Sequence, residues 1–292
     1  MKIGLFPPFG NPHVDKEYVQ RLGPATEERG FDSIWALEHV VLFDEYGSKY
    51  PYSPDGRFPF GGETGVLDPF ISLSFLTMVT STIRLGTGIC LLPQRNPVYT
   101  AKEAATIDYL SNGRLIMGVG VGWLAEEFEV LEVPFERRGS RCRSYVEVMK
   151  SLWCDPVSEY KDEFYTLPPC RQYPKPVQTP HPPIHFGGES NAALKRVADQ
   201  GQGWYGFNLE PEEAAERVEY LKKLMDERGR SMDELEVSIC PYMKSLDLDK
   251  VKRYRDVGID RVIVVAMLPS TNDIVPTLDL LAETLVEPAR AL

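Results

Sequence analysis

The chain predicts an α/β fold of the (β/α)8 class, a TIM barrel with insertions, and three observations carry that expectation. Short apolar runs suited to buried strands alternate with helix-length stretches along the 292 residues. The alternation makes eight strand–helix units, the number that such a barrel needs in about 250 residues plus insertions. The competing doubly wound sheet lacks its phosphate fingerprint, because the glycines closing the fourth strand are spaced GxGxG where that fold uses GxGxxG.

The units follow in order. Lys2 to Pro7 reads as a strand ending in a turn, and about Asp15 to Arg29 as a helix that Gly23-Pro24 should kink or break. Ser33 to His39 (SIWALEH) is the second strand. A long aromatic, Gly- and Pro-rich segment follows, around residues 40–66, and loops of that length are usually functional or mobile. Asp68 caps a helix to Thr80 with Pro69 in its first turn. Arg84 to Leu92 is the third strand, Val98 to Leu110 a helix and Arg114 to Val121 the fourth strand. An excursion around residues 134–183 interrupts the pattern. It holds a helix (Ser140 to Trp153), a hairpin within Val157 to Leu167 and a proline-laden connector. Strands at Ile184 to Phe186, Gly203 to Phe207, Glu236 to Tyr242 and Arg261 to Leu268 complete the eight. The helices between them include one with Ala214, Val218, Leu221 and Met225 in a single stripe, and the last covers roughly Ile274 to Val286. Neither side of the connector holds a full set of units, so the expectation is one domain over residues 1–292, with the 40–66 insertion as a lid.

A net charge of −11 argues against a general nucleic-acid binder. No apolar run approaches the roughly 20 residues that span a bilayer, and the N-terminus lacks a signal-peptide core. Cys90, Cys142, Cys154, Cys170 and Cys240 form no CxxC pair, which fits reduced thiols in a cytoplasm.

Barrel ligands gather at the carboxyl ends of the strands, so candidates follow from position. In RLIMGVGVGWLAEEF, Gly118, Gly120 and Gly122 either lay bare main chain against a flat ring or make room for bulky neighbours. Gly187-Gly188 with Ser190 and Asn191 opens a helix. That suits an anion at its N-terminus, and ordinary capping equally well. Gly86 and Gly88 end the third strand, with Gln94, Arg95 and Asn96 beyond. Arg137, Arg138, Arg141 and Arg143 concentrate positive charge in FERRGSRCR, either to grip an anionic tail or as a solvated face. His39, next to Glu38, closes the second strand and can relay a proton, where the bland alternative is a structural histidine. His181 and His185 sit in a proline-flanked strand and gather no further ligands, so no metal site is expected. GxSxG, SxxK, Cys–His and P-loop patterns are missing. What remains suits the positioning of a cofactor that carries the chemistry.

Three stretches resemble the luciferase-like monooxygenase superfamily, and more narrowly its branch of oxidoreductases using the deazaflavin coenzyme F420. They are FDSIWALEH (Phe31 to His39), IRLGTGICLLPQRNPVYTAKEAATIDYLSNGRLIMGVGVGW (Ile83 to Trp123) and FGGESNAALKRVADQGQGW (Phe186 to Trp204). The resemblance implies a (β/α)8 barrel. It implies the cofactor phosphate at Gly187, Gly188 and Ser190, the ring or ribityl chain at Gly120, Val121 and Gly122, and His39 at the ring's polar edge, with proton handling assigned to His39 and Glu38. It also implies a cis peptide at Gly88-Ile89 supporting one ring face. The sequence departs from the branch at Trp123, where some members carry a proton-donating carboxylate, while Glu126 and Glu127 follow. The implied function is hydride transfer between F420 and a small organic substrate. Two alternatives stand beside it: an FMN-dependent monooxygenase fed by a partner reductase, and a flavin- or deazaflavin-binding barrel without turnover. A homodimer is implied as well.

Overall fold

In the computed structural model, which describes residues 1–7, 9, 10 and 14–292, eight parallel strands close into a barrel. The strands in chain order are β1 (Lys2–Phe6), β2 (Ser33–Ala36), β3 (Arg84–Thr87) and β4 (Leu115–Val119). A two-stranded antiparallel hairpin, β5 (Ser158–Lys161) and β6 (Thr166–Cys170), lies outside the ring. Then come β7 (Ile184–Gly187), β8 (Gly203–Phe207), β9 (Glu236–Cys240) and β10 (Arg261–Val265). β1 closes the ring against β10 over five paired positions, from Lys2 opposite Arg261 to Phe6 opposite Val265. The helices are α1 (Lys16–Glu28), α2 (Pro69–Val79), α3 (Pro97–Leu110), α4 (Ala125–Val130), α5 (Arg138–Cys154), α6 (Asn191–Gln200), α7 (Pro211–Asp226), α8 (Leu248–Asp256) and α9 (Thr271–Leu281). None of the described helices is long and apolar enough to cross a membrane.

Local chemistry sets most boundaries. Asp15, Asp68, Asn96, Ser190 and Asp247 each accept a backbone N–H in the first turn of the helix they precede. Gly23-Pro24, expected to kink or break the first helix, leaves it unbroken from Lys16 to Glu28. Proline costs one internal hydrogen bond, but Leu22, Ala25 and Thr26 on the same stretch are buried. Gly23 packs so closely on α2 that an added Cβ would lie 2.9 Å from Val79. Packing outweighs the local rule here. The turn expected after β1 includes Pro8, which lies outside the described residues.

The proline-rich connector is tied down rather than free. The Asp108 carboxylate of α3 accepts from the backbone N–H groups of Val177 and Gln178 and from the Gln178 amide.

Inside the barrel, bulky rings face small residues. A Cβ on Gly86 would meet the Trp35 ring at 2.5 Å, one on Gly203 the His185 ring at 2.4 Å, and one on Gly4 would meet Ser33 at 2.7 Å. Phe6, Trp35, Ile116, Tyr205, Cys240 and Ile263 form this interior cluster, separate from the larger core between barrel and helices. At the amino end of the strands, buried Arg261 binds Asp32 at 2.6 Å and Glu236 at 2.7 Å.

Candidate functional site

A cavity of about 220 Å³ opens at the carboxyl ends of the strands, where ligands of such barrels gather. Its floor and walls come from β1, β2, β3, β4, β7, β8 and β9 and from the 40–66 segment, which contributes Tyr50, Pro51, Tyr52, Phe58 and Phe60. The expected residues Glu38, His39, Gly88, Ile89, Val121, Gly122, Gly187 and Gly188 line it together. Gly120 and Ser190 are not in its lining.

The glycines divide by what crowds them. A Cβ on Gly118 would lie 1.9 Å from the Thr87 carbonyl oxygen, and one on Gly120 would lie 1.8 Å from Ile89 Cδ1. These two let β4 approach the end of β3, and Gly187 does the same for Ile89 from the other side, at 2.9 Å. Gly88-Ile89 is a cis peptide. The backbone then rejoins β4 through Cys90, whose N–H donates to Gly118 and whose carbonyl accepts from Gly120. Gly122 and Gly188, at φ +75° and +104°, occupy backbone conformations that favour glycine and face the cavity themselves.

His39 is almost fully buried between the Phe58 and Trp123 rings, whose centroids lie 5.1 and 6.0 Å from its own. Its Nδ1 lies 3.2 Å from Glu127 Oε2, which leaves Nε2 as the ring atom for a ligand. The Glu127 carboxylate, wholly buried at the start of α4, also accepts from the N–H of Val40 at 2.7 Å and from the Gln94 amide at 3.0 Å. Burial pushes this carboxyl up, yet the hydrogen bond and charge of His39, with Gln94 and Val40, hold it below the usual glutamate value.

Glu38 lines the cleft beside His39. Its carboxylate accepts from the Leu91 N–H and pairs with Arg95 at 3.2 Å. Burial raises its pKa against the opposing pull of Arg95 and Leu91. Its oxygens hold the turn after β3 and the Arg95 loop in place.

Two roles escaped the sequence. Glu126 and Glu127 fasten the long segment: Glu126 accepts from the N–H groups of Gly47, at 2.6 Å, and Ser48, at 3.1 Å. Their place just inside a helix after GVGVGW was the available signal. The second is a tyrosine wall of Tyr50, Tyr52, Tyr205 and Tyr242, drawn from the long segment, β8 and the residues after β9. No motif links these positions, because the barrel alone brings them together. Glu189 stands behind the wall, its carboxylate accepting from Tyr52 Oη at 2.9 Å and from the Phe207 N–H at 2.8 Å. Burial pushes it up to about 7.

A closed parallel barrel with a glycine-edged, aromatic-walled cleft at the carboxyl ends of its strands defines a (β/α)8 protein. The chain belongs to the luciferase-like monooxygenase family, whose model matches residues 1–243. An uncharacterised protein of Mycobacterium tuberculosis (strain ATCC 25618 / H37Rv) is 32% identical over 263 residues, 90% of each chain. The FMNH(2)-dependent dimethylsulfone monooxygenase of Pseudomonas putida is 27% identical over 198 residues, 66% of this chain and 49% of that one. Among solved structures, the monooxygenase RslO1 of Streptomyces bottropensis superposes with a TM-score of 0.79 at 20% identity, covering 99% of this chain and 100% of its own. The coenzyme F420-dependent tetrahydromethanopterin reductase of Methanopyrus kandleri does so at 0.75 and 18% identity, covering 98% of each. At those identities the structural likeness establishes the fold.

Proposed function

We infer that this chain is an oxidoreductase that binds coenzyme F420 and exchanges a hydride with a small organic substrate. The observation that carries the choice of cofactor is a group of arginines without carboxylate partners, one of which reaches the cleft wall. Arg138 Nε donates to the carbonyl of cavity-lining Gly122 at 3.1 Å. Arg196, buried on α6, lies close enough to Arg138 and Arg143 that their like charges interact, and its Nε has no hydrogen-bond partner. Among the described residues, no carboxylate pairs with any of the three, although the chain is strongly acidic. A cofactor with several negative charges on its tail answers that excess better than a single phosphate does.

The remaining residues fit the ring and its chain. Gly187, Gly188 and Ser190 present the start of α6 to a phosphate, because first-turn N–H groups lack internal partners. Val121 and Gly122 face the ribityl side, Gly120 makes room for Ile89 beneath them, and the Gly88-Ile89 turn supports one ring face. When bound, the deazaflavin supplies two-electron chemistry at a ring carbon. The chain orients the reactants and excludes water with its aromatic walls. His39, fixed by Glu127 through Nδ1, holds or moves a proton at Nε2. The 40–66 segment, fastened by Glu126 and Glu127, closes the cleft as a lid.

Equilibrium titration of the purified protein with F420 and with FMN, followed by visible absorbance, tests this reading. F420 is expected to bind at least about tenfold more tightly, a difference of about 1.4 kcal/mol. A preference for FMN would replace it with the second reading, a monooxygenase receiving reduced flavin from a partner reductase, which the Pseudomonas putida relative favours.

We also assign a homodimer to this protein, formed through α2. Ile71, Phe75 and Met78, spaced i, i+4 and i+7, leave 60%, 62% and 79% of their surface exposed, while Phe70, Leu73 and Leu76 bury the other side. An apolar stripe on a helix that is already buried on its far side fits a second copy of itself. Phe75→Glu is expected to turn the dimer into a monomer by light scattering, with the cofactor spectrum retained. An unchanged mass would rule this face out.

A further inference from the structure

We propose that Tyr50, Phe58 and Trp123 form an aromatic subsite for the substrate, which takes an uncharged molecule carrying a flat, unsaturated ring. The proposal rests on the reading of the cleft as an oxidoreductase site and names the substrate class for it.

The three rings come from distant parts of the chain and pack on one another. Centroid to centroid, Tyr50 lies 5.0 Å from Phe58 at an interplanar angle of 81° and 5.2 Å from Trp123 at 64°. Phe58 lies 6.1 Å from Trp123. Aromatic pairs favour such tilted and edge-to-face separations. Each ring turns about only two side-chain torsions, so the wall keeps its shape at little entropic cost. All three line the cleft, and His39 sits against Phe58 and Trp123. None of the three is among the residues assigned to the cofactor.

The polar groups of the surrounding wall are engaged inside the protein. Tyr52 Oη donates to Glu189 at 2.9 Å. The Tyr205 hydroxyl bonds to Cys240, and that of Tyr50 to Tyr242. Glu38 pairs with Arg95 and accepts from Leu91, while His39 Nδ1 meets Glu127. Among the described residues, no lysine or arginine lines the cleft.

Those facts set the class of ligand. A carboxylate or sulfonate entering the subsite would give up its hydration with no cation to compensate. A neutral aromatic ring meets ring faces and edges, and gains more from them than a saturated ring of the same size does. An oxygen beside that ring has His39 Nε2 as its partner.

Calorimetry on the full-length protein, with and without saturating F420, tests this above neutral pH with acetophenone, cyclohexyl methyl ketone and benzoate. Acetophenone is expected to bind about fivefold more tightly than its saturated counterpart. Benzoate should bind at least about tenfold more weakly than acetophenone. F420 should leave this order in place. A Phe58→Leu/Trp123→Leu double variant keeps apolar bulk but removes two rings, and should bring the two ketones within about twofold of each other. Equal binding of the two ketones to wild type, tighter binding of benzoate, or an unchanged preference in the variant would each overturn the assignment. So would loss of ketone binding once F420 is bound, because the three rings would then lie under the cofactor. The wild-type order decides the matter if the variant fails to fold. Failure of F420 to bind would count against the oxidoreductase reading alone, since the probe series also runs without it.

Discussion

Replacing Arg261 with alanine is expected to destabilise the protein by about 3–5 kcal/mol, a fall in melting temperature on the order of 10 °C. The guanidinium is fully buried and forms hydrogen bonds with Asp32 at 2.6 Å, Glu236 at 2.7 and 3.0 Å and Ser238 at 3.1 Å. Removing it leaves two largely enclosed carboxylates facing each other. His185 cannot take its place, because burial holds that imidazole down at about 3 and so neutral. The acid dependence of stability should change too. Burial raises the Glu236 carboxyl, but the charge and hydrogen bonds of Arg261 override this and hold it well below its usual value. A depressed carboxyl contributes stability that is complete above its unfolded value, near 4.5, and is lost as pH falls toward the folded one. Denaturant unfolding of wild type should therefore weaken from about pH 4.5 downward, and Arg261→Ala should show a shallower acid slope. Parallel slopes for the two proteins would sink this account.

His39→Ala is expected to lower hydride turnover by about 10²–10⁴-fold while leaving cofactor affinity within about threefold. The assay is bleaching or recovery of the bound cofactor's visible band with menadione as acceptor. Glu127→Gln separates positioning from chemistry. The amide keeps the shape but removes the charge beside Nδ1, so turnover should fall and its pH profile shift. Hydrogen exchange at the Val40 and Val41 amides should quicken, because Glu127 Oε1 accepts from both, at 2.7 and 3.4 Å. Unchanged turnover in His39→Ala would remove His39 from the mechanism, whatever Glu127→Gln does.

The barrel was legible because its signals are local. Eight short apolar runs, capping aspartates at positions 15 and 68 and the stripe through Ala214 and Leu221 each act over a few residues. Strand ends were less so. SIWALEH reads as one strand, but hydrogen bonding stops at Ala36, and Leu37 to His39 turn into the cleft. Gly23-Pro24 misled because its local penalty is visible and the α2 surface that offsets it is not. The glycines of GVGVG show the same limit. Sequence marks where side chains are missing, but only the folded barrel shows that Gly118 and Gly120 make room for Thr87 and Ile89 while Gly122 faces the cavity. The tyrosine wall was invisible. Its members lie in the long segment, in β8 and after β9, and nothing in their spacing links them.

The β1–β10 seam joins the first five-residue strand to one that begins more than two hundred residues later. Lys2–Phe6 has no partner on that side until Arg261–Val265 is available to pair with it. Until that long-range pairing forms, a chain of this fold carries an open, pairing-competent edge. That edge is what cellular holdases would need to shield.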